Sequence, residues 1–296
     1  MRLTTRLVAP AILAAILAGP AATGCSTGAS GQRFTIVAAF YPLQFLAERL
    51  AGDGAEVVNL VKPGAEPHDL ELTPEQVASL ADADLVIYLK GFQPAVDEAV
   101  EQQVDQDRTI DVAAVRPLLT DPEGQPDPHL WLDPARYAGI VNAVTAELVR
   151  VDPRHRTQAR NHAEVLTEDL AALDGDFATG LKTCQRRELV VSHAAYGYLT
   201  ARYRLKQVAI SGLSPEEEPT PQRLAEVTDV ARKYQATVVF FETLVSRKIA
   251  ETLAAEVGAE ARVLDPLEGL KPGSRDDYFS VMRRNLDTLR TALDCA

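Results

Sequence analysis

Residues 153–181 read PRHRTQARNHAEVLTEDLAALDGDFATGL. The stretch opens on Asp152-Pro153, a helix-start signal, because proline at the first helical position loses no needed hydrogen bond. Leu166, Leu170, Leu173 and Phe177 then recur at intervals of three and four residues, which puts them on one face of a helix. No strand-like run interrupts it. The spacing predicts one long helix that joins what lies before it to what lies after. A flexible hinge would be shorter and richer in glycine.

On both sides of this stretch, short apolar runs alternate with amphipathic segments. Strands are expected at 34–39, 57–60 and 85–89, with helices at 43–50, 74–80 and 134–149. Beyond the long helix, strands are expected at 189–192, 207–210, 238–241 and 262–264, with helices at 221–234, 246–256 and 277–293. Strand alternating with helix argues for a parallel sheet flanked by helices in each half. The expected class is therefore α/β, with two lobes: 33–152, then the linker helix 153–181, then 182–296. A length of 296 residues also favours two domains over a single core.

The N-terminus is set apart from this fold. Arg2 and Arg6 precede an apolar run over 7–18, which Gly19 and Pro20 break. That pattern is a signal peptide, 1–24, too short and alanine-rich for a membrane span. Ala22-Thr23-Gly24-Cys25 is similar to a lipobox, although leucine is usual where Ala22 stands. A lipid on Cys25 would anchor the chain to the outer face of the bacterial cell membrane, with 25–32 as a small, polar, flexible tether. Export leaves Cys184 and Cys295 in an oxidising compartment, where a disulfide is expected; two unrelated thiols are the alternative. A formal net charge of −12 gives no basic face for nucleic acid. The chain is expected to be a monomer.

Of five histidines, His155 and His162 fall in the polar part of the long helix and read as a solvated face. The other three do not. His68 lies in EPHD, after the run ending near Val61. His129 lies in DPHLWLDP, between a Pro/Gly-rich loop and a helix. His193 directly follows the strand run LVVS. Ligands of parallel sheets bind beyond the carboxyl ends of the strands, where these histidines are expected. A fourth group comes from LDPLEGL at 264–270, which offers Asp265 and Glu268; the plain structural role for Asp265 is to turn the chain before Pro266. Three imidazoles and one carboxylate suit tetrahedral Zn²⁺, whereas Mg²⁺ or Ca²⁺ call for more oxygens. Imidazole must shed its proton to bind metal, so binding should weaken below about pH 6.5.

These residues stand in segments that resemble a known family, the zinc-binding receptors of metal ABC importers (the cluster A-I metal-binding lipoproteins). The resemblance covers roughly 35–293. It is carried by EPHDLELTP at 66–74, DPHLWLDP at 127–134, SHAAYGYL at 192–199, SGLSPEEEPTPQRL at 211–224, FFETLVS at 240–246 and LDPLEGL at 264–270. It implies two α/β lobes joined by a long rigid helix, with the metal between them. It implies His68, His129 and His193 as ligands, and Glu268 as the fourth, with Asp265 and then Glu66 as alternatives. Manganese-selective relatives carry an acid where His193 stands, so His193 favours zinc over a Mn²⁺ or mixed-metal receptor. The partner implied is the membrane permease of a zinc ABC importer, and Zn²⁺ is cargo rather than a catalytic cofactor. Many such receptors have a long His-rich loop before the second ligand; here the region 121–128 is short and has no histidine before His129.

Two readings of other classes stand beside this one. An anchored zinc hydrolase would need an open metal position for water, with Glu66 or Asp265 as a general base; no HExxH motif is present. An adhesin role would depend on surface alone, which sequence does not address. The reading favoured here is a receptor and not an enzyme.

Overall fold

Residues 33–296 apart from Pro122 are described by the computed structural model. The signal peptide, Cys25 and the tether lie outside the described residues. β1 (Phe34–Ala38), β2 (Ala55–Asn59), β3 (Leu85–Tyr88) and β4 (Thr109–Asp111) form one sheet in the order β2-β1-β3-β4, with every pair parallel. β5 (Glu188–Val191), β6 (Lys206–Ala209), β7 (Val238–Phe241) and β8 (Glu260–Val263) form a second parallel sheet, in the equivalent order β6-β5-β7-β8. Around them run α1 (Tyr41–Ala51), α2 (Pro74–Asp82), α3 (Pro94–Gln103), α4 (Pro134–Val151), α5 (Arg156–Gly180), α6 (Gly197–Tyr203), α7 (Pro221–Lys233), α8 (Lys248–Val257) and α9 (Tyr278–Ala292). Central strands are apolar on both faces because helices cover both; all four residues of β3 are buried. In each sheet the strand order reverses beside its first strand, β1 or β5, the position at which parallel sheets bind ligands beyond their carboxyl ends.

A short 3-10 turn, Pro153–His155, leads into α5, which spans 25 residues. Its buried stripe is Ala159, Ala163, Leu166, Leu170, Leu173 and Phe177, so the apolar face starts two turns before the leucines. Burying each leucine is worth about 1.5–3 kcal/mol relative to exposure. That stripe packs against α4, α1 and α9, and so touches both lobes. His155 and His162 correct the expectation of a solvated face, because both are half-buried. His155 Nδ1 lies 2.6 Å from Asp152 Oδ2, and His162 Nδ1 lies 3.0 Å from the carbonyl of Leu50. The chain leaving α1 passes close to α5 through Gly52, where a Cβ would stand 2.9 Å from the His162 ring. Both histidines thus fasten α5 to the first lobe.

The lobes share more than one helix. Phe45 on α1 stacks on Tyr278 of α9 at 5.5 Å and meets Phe279 at 5.8 Å, and Tyr137 on α4 tilts against Tyr278 at 4.9 Å. The main core is continuous from Phe34 to Leu293, while a smaller one lies beneath α7 and α8. Cys184 and Cys295 form a disulfide across a sequence separation of 111. Flanking backbone bonds join Gln185 to Asp294 and Arg186 to Leu293. Among the described residues no helix is long and apolar enough to cross a membrane.

Candidate metal centre

His193 stands two residues beyond β5, on a segment held to the next loop by the Ala194 N–H donating to the Gly212 carbonyl at 2.7 Å. His68 lies in the loop from β2 to α2. Glu66 Oε2 accepts its backbone N–H at 2.9 Å, and the Gln93 side chain donates to the carbonyl of Pro67 at 3.1 Å. His129 caps a 3-10 turn, Leu130–Leu132, just before α4. It therefore enters the site from the loop-to-helix junction where the sequence placed it, and not directly from the end of a strand.

Glu268 follows β8 on a turn that Asp265 builds. Asp265 Oδ1 accepts the Leu267 N–H and its Oδ2 accepts the Thr243 hydroxyl, each at 2.8 Å. Asn285 pairs with both the N–H and the C=O of Asp265, at 3.0 and 2.7 Å. Leu267 is buried at φ +61°, a left-handed conformation costly for a bulky side chain, and the Asp265 bond holds it there. Trp131 supports the same turn by donating from Nε1 to the Pro266 carbonyl at 2.7 Å. Asp265 thus has the turn-building role, with its oxygens committed outside the cluster.

Four side chains converge: His68, His129, His193 and Glu268, whose ligand atoms all lie within 4.8 Å of one another. Glu268 Oε1 is 3.4 Å from His68 Nε2, 3.1 Å from His129 Nε2 and 3.2 Å from His193 Nε2. His129 Nε2 and His193 Nε2 are 3.4 Å apart. A tetrahedron with bonds of about 2.0–2.1 Å has edges of roughly 3.3–3.4 Å. The four edges at 3.1–3.4 Å match that spacing, and with the His68 imidazole within 4.8 Å of the other two the group could hold one zinc-sized cation.

A second layer fixes the rings. Asp127 Oδ1 takes both the backbone N–H of His129, at 2.9 Å, and its Nδ1, at 2.8 Å. Glu242 Oε1 lies 2.5 Å from His193 Nδ1 and also accepts the Ser192 hydroxyl. With Nδ1 occupied in both rings, Nε2 is the nitrogen left for the cage. Neither carboxylate was singled out from sequence. The available signal was Glu242 itself, an acid directly after the apolar run 238–241.

Burial works against a charged His193, but Glu242 and Glu268 outweigh it and hold the imidazole up at about 10. Burial likewise opposes His129 protonation, and Asp127 and Glu268 raise its pKa nonetheless. Burial lowers that of His68. Glu268 is pushed up by burial and pulled well below the usual carboxylate range by the surrounding imidazoles, His193 first. Glu66 stays outside the four: its buried Oε1 has no hydrogen-bond partner and stands 3.9 Å from His68 Nε2, and burial pushes the carboxyl up to about 7.

Two parallel-sheet lobes meeting over three imidazoles and a carboxylate define a two-lobed binding protein with a cage for one small cation. Residues 36–292 match the family of the periplasmic zinc-uptake complex component A, ZnuA, and the chain belongs to that family. It is 31% identical to the high-affinity zinc uptake system protein ZnuA of Bacillus subtilis, over 97% of this chain and 96% of that one. It is 34% identical to the zinc-binding lipoprotein AdcA of Streptococcus pneumoniae, covering 88% of this chain and 56% of AdcA, so it spans just over half of that relative. The crystal structure of the Zn(II)-bound ZnuA-like domain of S. pneumoniae AdcA superposes with a TM-score of 0.77 at 35% identity, covering 89% of this chain and all of that domain.

Proposed function

We propose that this chain is an extracytoplasmic receptor that captures one Zn²⁺ and delivers it to an ABC-type importer. The observation that carries the reading is the convergence of three imidazole Nε2 atoms on Glu268 Oε1, at 3.1–3.4 Å, the spacing of ligands that share one zinc. His68, His129, His193 and Glu268 are the ligands in this reading. Imidazole-rich sites favour zinc over Mn²⁺, both by ligand softness and by the Irving–Williams order. The zinc-uptake relatives support the same cargo. A catalytic zinc keeps a position open for water; here Glu268 fills the fourth corner, which weighs against hydrolysis.

The remaining parts of the reading are a lipid on Cys25, a monomeric chain, lobes at 33–152 and 182–296 about the linker 153–181, and docking on a membrane permease. Elemental analysis of the mature protein together with competitive Zn²⁺ and Mn²⁺ titration tests the cargo. One Zn²⁺ per chain, outcompeting Mn²⁺, is expected; a preference for Mn²⁺ would overturn it. Changing Cys25 to Ala should release the protein from the membrane fraction, and unchanged anchoring would refute the lipid.

A further inference from the structure

We propose that Gly197 and Tyr198, at the start of α6, clamp Asp127 and thereby set the position of His129 in the cage. The proposal rests on the receptor reading above. In the first lobe, residues 119–121 and 125–127 pair antiparallel: the Asp127 N–H donates to the Leu119 carbonyl at 2.8 Å, and the Asp121 N–H to that of Gln125 at 2.9 Å. A residue of the other lobe closes this pairing. The Tyr198 hydroxyl accepts the Leu119 N–H at 2.8 Å and donates to the Asp127 carbonyl at 3.0 Å. One buried hydroxyl thus holds both sides of the pairing, and the Arg136 guanidinium, 5.0 Å from the ring centroid, covers the ring.

Gly197 does the complementary work. A Cβ there would stand 2.3 Å from Asp127 Oδ2, so the carboxylate lies in space that only glycine leaves open. The other oxygen, Oδ1, holds both the backbone and Nδ1 of His129. Contact therefore runs from Gly197 and Tyr198 through Asp127 to the His129 ring. His193 sits four residues before Gly197 on the same segment. The segment that carries one lobe's histidine thus seats the other lobe's, and the 3.4 Å edge between them depends on it. Both residues are positioning residues; neither touches the cage.

The test compares metal-free parent, Tyr198→Phe and Gly197→Ala by competitive Zn²⁺ titration, by the visible band of bound Co²⁺, which reports tetrahedral geometry, and by thermal melting. Each variant should bind Zn²⁺ about tenfold more weakly, the usual scale for losing outer support of a ligand, with an altered Co²⁺ band. Metal-free Tyr198→Phe should stay folded and melt only a few degrees below the parent, the scale of two lost hydrogen bonds. Zn²⁺ affinity within about twofold of the parent in both variants overturns the clamp. So does weakened binding with an unchanged Co²⁺ band, since His129 geometry would then be intact. A parent that binds no Zn²⁺ would remove the receptor reading itself, and the clamp with it.

Discussion

Glu242 Oε1 and His193 Nδ1 lie 2.5 Å apart, both buried, at the ends of the neighbouring strands β7 and β5. The pair fixes the ring so that Nε2 faces Glu268, and its charge raises the basicity of that nitrogen. Glu242→Gln keeps the shape and removes the charge. We expect Zn²⁺ affinity to fall about 10–100-fold, as for other outer partners of metal-bound histidines, in a chelator-competition titration. Affinity equal to the parent's would show that the pair is only structural.

The pair also sets a pH dependence. His193 is held up at about 10, so at neutral pH the metal-free site carries a proton that Zn²⁺ must displace. Between about pH 7 and 9, log affinity should rise by about one per pH unit for that proton. Glu268, held low by the imidazoles, is already ionised there and adds nothing. This window lies above the one expected from an ordinary imidazole. Stability of the metal-free chain follows the opposite sign: a raised histidine pKa stabilises fully below about 6.5, and that contribution fades as pH rises through about 10. Calorimetry in buffers of different ionisation heat counts the released protons; none released at pH 8 would contradict the account.

Cys184 and Cys295 close a long loop that includes the whole second sheet. By the chain-entropy argument this is worth about 4–5 kcal/mol at most. Reduction, or Cys184→Ser with Cys295→Ser, should lower the urea midpoint while leaving Zn²⁺ stoichiometry at one, because neither sulfur is in the cage. Thiol labelling of the denatured, unreduced chain should find no free thiol at these two positions.

A core continuous from β1 to α9 should unfold as one unit. Leu170, fully buried on α5, lies at the heart of that continuity. Leu170→Ala should cost about 2–5 kcal/mol and keep a single urea transition. Two separated transitions would mean that the lobes are held independently.

Much of this was legible in the sequence, and the exceptions have physical reasons. The leucine stripe of 166–177 announced α5, and uninterrupted apolar runs announced the central strands. β4 was invisible because Thr109–Asp111 is only three half-buried residues, and it exists through pairing with β3. α3 and α6 were missed; α6 has seven residues and begins at a glycine. The three histidines were readable because each stands outside an amphipathic pattern. Spacing alone did not separate Asp265 from Glu268, since both follow the same strand; only the family resemblance ranked Glu268 first. In the structure the Asp265 carboxylate is bonded to the Leu267 N–H and the Thr243 hydroxyl, while Glu268, past the left-handed Leu267, faces the three imidazoles. Glu242 and Asp127 matter through contacts at long range or across a turn, which spacing alone does not reveal.

The central claim is that His68, His129, His193 and Glu268 are the four ligands of one Zn²⁺. Its most direct measurement is competitive Zn²⁺ titration, after chelator stripping, of the parent, the three His→Ala variants, Glu268→Gln and Asp265→Asn, with His162→Ala as a control. The account predicts one site per parent chain and losses of at least about 100-fold for each histidine and for Glu268, beyond the 10–100-fold typical of outer partners. It predicts a smaller loss for Asp265→Asn and almost none for His162→Ala. Parent-like affinity in Glu268→Gln, or in the chain with all three histidines replaced, would contradict it.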